Sequence, residues 1–115
     1  MRFFIVIIMI FSFVGSLQSA RYINGIEDIP IFKNMVYVED SLVLFDKTEG
    51  RSVSSEIIGD YDQQEIMTFY SLILPNLGWK NIGPYLFKRG NEKLEIKFFE
   101  KDRKTSATFN IYPSK

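Results

Sequence analysis

Two residue types that are common in enzyme active sites, His and Cys, are missing from this chain. Its 115 residues contain no His and no Cys, which excludes Ser-His-Asp and Cys-His nucleophile systems and zinc sites built on those ligands. The G-x-S-x-G, G-x-x-x-x-G-K and G-x-G-x-x-G patterns of nucleophile elbows and phosphate loops are also absent. The sequence therefore predicts no catalytic, cofactor-binding or metal-binding residue.

The carboxylates of the stretch DYDQQE are the best candidates for any remaining chemistry. Asp60, Asp62 and Glu65 could ligate Ca²⁺ through oxygen, but the loop lacks the full twelve-residue ligand pattern. Acidic side chains are also favoured at a helix N-terminus by the helix dipole, and we favour that interpretation. A carboxylate-based hydrolase, which would need two carboxyls ~5–9 Å apart across a cleft, is a further alternative.

The basic stretch 88–104 is the second candidate site. Lys93, Lys97 and Lys101 share one face of a predicted strand with the apolar Phe99. Interleaved positive and aromatic side chains suit an acidic partner protein or an anionic membrane surface. We predict Lys93, Lys97, Phe99 and Lys101 as partner-binding residues. A solvated strand whose lysines discourage aggregation is the alternative.

The formal net charge of zero hides a separation of charge along the chain. Residues 21–65 contain four basic and ten acidic residues, whereas residues 66–115 contain nine basic and four acidic ones. Such a separation can steer a partner or favour self-association. It can also disappear when the two halves interleave in one fold, so the sequence leaves both outcomes open.

The first twenty residues, MRFFIVIIMIFSFVGSLQSA, resemble an export signal. Arg2 precedes an unbroken apolar run over residues 3–11, and small or polar residues follow, which is typical of a secretory signal peptide. The run is shorter than the ~20 residues that span a bilayer. We predict a signal peptide over residues 1–20 and a periplasmic or secreted protein without a nucleic-acid partner. An uncleaved N-terminal anchor is the alternative.

The rest of the chain predicts one small α+β domain. An irregular N-terminal arm over residues 21–40, anchored by IPIF (29–32), precedes a domain over residues 41–115. Alternating or β-branched segments predict strands over residues 41–46, 51–60, 84–90, 91–102 and 105–113. The predicted fold has two layers: an antiparallel sheet of about five strands, in the order β-β-α-β-β-β, covered by one amphipathic helix.

The helix has the clearest sequence pattern. Asp62 and Glu65 fit a capping box with Asp at the cap. Pro75 ends or bends the helix, Gly78 suits the left-handed position beyond it, and Trp79 can pack back on the last turn. We therefore interpret FYSLILPNLGW as a helix end rather than a ligand site. One apolar stripe at helical spacing faces the predicted core: Ile66, Phe69, Tyr70, Ile73, Leu74 and Leu77.

Three segments together resemble a group of small exported proteins of alphaproteobacteria. They are D-x-P at Asp28 and Pro30, F-D-x-x-x-G-R-x-V over residues 45–53, and F-Y-x-x-x-L-P-x-L-G-W over residues 69–79. The resemblance covers most of the chain after residue 20. It implies export and supports the predicted fold, and it implies no particular activity.

Overall fold

The computed structural model describes residues 21–114, so the predicted signal peptide lies outside the described residues. Within this range, no helix is long and apolar enough to cross a membrane. The helical elements are α1 (Gln63–Ile73) and a 3₁₀ turn (Pro75–Leu77). The strands are β1 (Tyr22–Ile23), β2 (Ile26–Pro30), β3 (Val36–Tyr37), β4 (Val43–Lys47), β5 (Gly50–Gly59), β6 (Lys80–Gly83), β7 (Leu86–Arg89), β8 (Glu92–Lys101) and β9 (Lys104–Pro113).

Seven of these strands form one antiparallel sheet in the order β3-β5-β9-β8-β7-β6, with β4 also pairing with β5. Strands β1 and β2 form a separate hairpin. The predicted α+β class, with a mostly antiparallel sheet and one short helix, is confirmed. The predicted number of about five strands is wrong, since residues 21–114 form nine strands in two sheets. The four additional strands are β1, β2, β3 and β6. Of these, β1 and β3 have two residues each, too few to show an alternating pattern.

The Gly and polar residues between predicted strands predict hairpin turns at KTEG (47–50), RGNE (89–92) and DRKT (102–105). All three turns are present. Strands β4 and β5 close at the pair Lys47 and Gly50, and strands β7 and β8 close at Arg89 and Glu92. In the turn between β8 and β9, Asp102 and Arg103 both have positive φ values, of 50° and 68°. Positive φ at both central residues is the geometry of a type I′ hairpin turn.

Alternate residues of β5, β8 and β9 form the inner face of the main sheet. Helix α1 covers this face with Ile66 and Tyr70, and Leu74 follows directly after the helix; all three are fully buried. The Tyr70 ring lies 5.0 Å from the Phe109 ring in an edge-to-face contact. Residues of both layers therefore join one apolar core. On the sheet side this core contains Val53, Ile57, Phe87, Leu94, Ile96, Ala107, Phe109 and Ile111.

Both ends of α1 follow the predicted chemistry. The Asp62 carboxylate accepts a hydrogen bond of 2.9 Å from the Glu65 backbone N–H. After Leu74 the chain makes the 3₁₀ turn, Gly78 adopts a φ of +92°, and the Trp79 N–H donates to the Leu74 carbonyl at 3.0 Å. Because the buried Trp79 side chain joins the core, LPNLGW is confirmed as a helix end.

The segment predicted as an irregular arm is instead part of the core. Ile23, Ile26 and Ile29 of the β1–β2 hairpin are buried, as is Met35. The guanidinium of Arg21 donates to the carbonyls of residues 33 and 35. The predicted apolar anchor is present, but the hairpin around it was missed. The signal that would have found it is Asn24-Gly25, the dipeptide typical of two-residue hairpin turns, which connects the closing pair Ile23 and Ile26.

Candidate binding surface

The outer face of the main sheet is open. Strand alternation places a second set of side chains on this face, and no helix or strand within residues 21–114 packs over it. Its side chains are exposed or half-buried except for Ser106, which is buried. The central strands contribute Ser52, Ser54, Glu56, Ile58, Ser106, Thr108, Asn110 and Tyr112. Strand β8 contributes Lys93, Glu95, Lys97, Phe99 and Lys101.

Three lysines lie directly opposite one another across the outer face. Lys93 of β8 is paired with Lys88 of β7, and Lys88 is paired with Lys80 of β6. We call these three residues the lysine row. None of them takes part in the ion pairs formed by the described residues. Like charges placed directly opposite in a sheet are destabilising, so the row is a locally unfavourable concentration of positive charge.

The predicted binding residues lie on this face but differ in availability. Lys97 and Phe99 follow Lys93 along β8, and the Phe99 side chain is 56% exposed. Glu95 lies between Lys93 and Lys97 and, within residues 21–114, forms no ion pair with either. The open face therefore joins three of the predicted residues, Lys93, Lys97 and Phe99, into one surface with the lysine row.

Lys101, the fourth predicted residue, is already engaged. Its Nζ lies 2.8 Å from Glu56 Oε2, and the same carboxylate oxygen accepts a hydrogen bond from the Ser106 hydroxyl. Burial alone would raise the pKa of Glu56, but the hydrogen bonds from Lys101 and Ser106 outweigh it and hold that pKa below its usual value. Lys101 therefore neutralises a half-buried carboxylate and adds less charge to the surface.

The charge separation along the chain is only partly cancelled by folding. Arg51 of the acidic half pairs with Glu92 of the basic half at 2.8 Å, which leaves the excess charge of each half in place. Arg89 of the basic half pairs with Asp28 of the acidic half at 2.7 Å, which joins the two excess charges. The Lys101–Glu56 pair does the same. No such pair reaches Lys80 within the described residues, so the folded domain keeps a basic area over β6, β7 and β8.

The same outer face becomes aromatic toward its other edge. A shallow groove of about 280 Å³ lies over β4, β5 and β9. Phe45 and Tyr112 are its aromatic lining residues, and Ser52, Ser54 and Asn110 add polar groups. Tyr112 is paired with Lys93 across the strands. The basic area and the aromatic groove are therefore neighbouring parts of one surface.

The other sequence candidates have structural roles. Asp62 caps α1, and within residues 21–114 no three His, Cys, Asp or Glu residues gather in a metal-binding arrangement. Trp79 is fully buried, and the Arg89 guanidinium lies 4.3 Å from the centre of its ring system. Trp79 is thus a packed core residue and not an exposed platform for a ligand.

Lys80 and Lys88 were not among the predicted binding residues. The pairing of Lys88 with Lys93 could have been deduced from the predicted turn over residues 89–92, because a two-residue turn fixes the register of a hairpin. Lys80 offered no such signal, since β6 was not predicted.

Comparison with protein-family profiles, curated proteins and solved structures finds no match to the chain.

Proposed function

We propose that this protein is an exported, non-catalytic binding domain whose outer sheet face binds an acidic protein of the bacterial envelope. The lysine row carries the proposal: Lys80, Lys88 and Lys93 lie directly opposite one another. Lys97 and the exposed Phe99 extend the same surface along β8. An acidic partner supplies the negative charge that this surface lacks.

The lysine row raises the free energy of the domain when no partner is bound. Each directly opposed pair of like charges is unfavourable, and favourable cross-strand pairs contribute only ~0.2–1 kcal/mol each. A fold that keeps such an arrangement departs from local consistency, which is common at functional sites. Carboxylates of a partner convert the repulsion into attraction. Complementary charge also speeds association and makes it sensitive to salt.

An anionic membrane surface is the second candidate partner. The observation in its favour is that Phe99 is an exposed aromatic residue on the same face as the lysine row. Basic residues near an anionic bilayer contribute ~1 kcal/mol each. A domain held at the membrane by an uncleaved N-terminal anchor would be placed to use this contact.

The test compares two charge-reversal variants in affinity capture from the envelope fraction. Lys88→Glu/Lys93→Glu removes the centre of the row. Lys33→Glu/Arg103→Glu changes the net charge equally at residues outside the row. We expect an acidic protein to be captured at low salt by the wild type and by the control, and to be lost with the first variant. Equal capture by all three proteins would refute the proposal.

A vesicle experiment separates the two candidate partners. Co-sedimentation with phosphatidylglycerol-containing vesicles is compared with co-sedimentation with phosphatidylcholine vesicles, for the same three proteins. Specific binding of the wild type to the anionic vesicles, lost with Lys88→Glu/Lys93→Glu, would favour the membrane. Export is tested separately by determining the N-terminus of the protein from the envelope fraction, which we expect near residue 21.

A further inference from the structure

The two edges of the main sheet differ in how they resist pairing with another strand. At β6 the register with β7 shifts between residues 81 and 83, and Pro84 follows. Irregular register, Pro and Lys are devices that keep edge strands from pairing with other chains. At the other edge, β4 pairs with β5 in regular register over all five of its residues. Strand β4 contains no Pro and no bulge.

Strand β4 also exposes three consecutive large apolar side chains. Val43, Leu44 and Phe45 are 47%, 57% and 58% exposed. Val43 and Phe45 lie on the outer face, opposite Ser54 and Ser52, whereas Leu44 lies on the inner side opposite Val53. Apolar side chains are therefore exposed on both sides of a regular edge, to which no further strand of residues 21–114 is paired. This is the arrangement expected where a further strand adds to a sheet.

The turn that follows β4 determines which backbone groups face this open edge. Lys47 and Gly50 close a turn of two residues, and the closing pair of such a hairpin is hydrogen-bonded. Since hydrogen-bonded and non-hydrogen-bonded pairs alternate in antiparallel ladders, Val43 and Phe45 bond to β5. Leu44 and Asp46 then direct their backbone N–H and C=O groups away from the sheet.

We infer that β4 pairs with β4 of a second copy of this chain, antiparallel and centred on Leu44. In that register Leu44 faces Leu44 of the second copy, and Val43 faces Phe45, so each exposed apolar side chain meets another. Asp46 faces Leu42 and meets no like charge. A register centred on Phe45 would instead place Leu44 opposite Asp46. The apolar stretch is therefore self-complementary in one register.

The resulting two-fold axis is perpendicular to the sheet, so the two outer faces lie on the same side of one continuous sheet. The contact is independent of the lysine row, which lies over β6, β7 and β8 at the far edge. A pairing strand of five residues buries less area than obligate dimers do. We expect reversible dimerisation that depends on protein concentration.

Cysteine cross-linking tests both the contact and its register. The chain has no Cys, so Leu44→Cys introduces a single thiol that can form a disulfide only between copies. Opposed hydrogen-bonded residues have Cα atoms ~5.5 Å apart, which suits a disulfide. Leu72→Cys is the matched control, because Leu72 is 69% exposed on α1. We expect rapid oxidation to a covalent dimer for Leu44→Cys and slow oxidation for Leu72→Cys.

Sedimentation equilibrium over a concentration series measures the same contact without oxidation. Leu44→Lys should weaken dimerisation more than tenfold, and Leu72→Lys should leave it unchanged. A wild-type protein that stays monomeric throughout the series would overturn the inference, as would equal cross-linking of the two Cys variants. Self-association that is lost with Lys88→Glu/Lys93→Glu but not with Leu44→Lys would place the contact on the basic face, and would also overturn it.

Discussion

The two faces of the main sheet are made by the same strands and have opposite properties. Against the inner face packs Tyr70 of helix α1, whose buried hydroxyl donates to the Pro30 carbonyl at 2.7 Å and accepts from the Phe32 N–H at 3.1 Å. On the outer face, lysines lie opposite lysines without an ion-pair partner among the described residues. Alternation thus separates residues that hold the fold from residues available to a partner.

The largest effect should come from the inner face at Trp79. Trp79→Ala leaves a cavity in the core and should lower the free energy of unfolding by ~3–5 kcal/mol, as other large aromatic truncations do. Trp79→Phe should cost less, because the buried indole N–H has no hydrogen-bond partner in the described structure. Urea unfolding measures both variants. A loss below about 1 kcal/mol for Trp79→Ala, a value typical of surface substitutions, would contradict the core assignment.

Tyr70→Phe should have the next largest effect. It keeps the ring but leaves the Phe32 N–H and the Pro30 carbonyl without their partner, at a cost of ~1–3 kcal/mol when such groups are buried. Tyr85→Phe is the control, because the Tyr85 hydroxyl accepts a single hydrogen bond from Gln63 at an exposed site. Equal losses in the free energy of unfolding for the two variants would show that burial of the Tyr70 hydroxyl does not matter.

Glu56 should make the free energy of unfolding depend on pH in the acidic range. Its pKa is held below the usual value in the folded protein, so its stabilising contribution is present above the unfolded-state pKa of ~4.3. That contribution is lost as the pH falls through the lower folded-state pKa. We expect Glu56→Gln to be less stable than the wild type at neutral pH, and the difference to shrink on acidification. A constant difference in urea midpoint from neutral to acidic pH would refute this assignment.

The smallest effect on stability should come from the outer face. Lys88→Glu places a carboxylate between Lys80 and Lys93, converting two repulsive pairs into attractive ones, and should stabilise the fold by ~0.2–1 kcal/mol. The same substitution should abolish binding to an acidic partner. For this one variant, the free energy of unfolding from urea titration should rise while the amount of partner captured should fall. A destabilised Lys88→Glu variant would mean that the row has a structural role.

The sequence predicted the long elements, whereas strand β3 was missed for a physical reason. The apolar stripe of α1 and the alternation of β5, β8 and β9 extend over ten or more residues, which is enough to show a period. Strand β3 has two residues and joins the sheet only through its pairing with β5. Its formation depends on tertiary contacts such as the close approach of Met35 to Gly59, which no local pattern contains.

Of the candidate surface, the sequence predicted only the residues that lie on strand β8. Alternation along β8 placed Lys93, Lys97 and Phe99 on a common face. Whether a lysine on that face is available depends on residues distant in sequence, and Lys101 is engaged by Glu56, which lies 45 positions earlier. The pairing of β6 with β7, which brings Lys80 into the row, likewise needs the three-dimensional structure.

The position of β9 has a consequence for when the chain can fold. This strand lies between β5 and β8 and is paired with both along most of its length. It also supplies Phe109 and Ile111 to the core. Neither flanking strand can complete the sheet before residue 113 has been synthesised, and sheets built from such distant pairings fold slowly. The complete sheet and its core can therefore form only once the strand nearest the C-terminus is available.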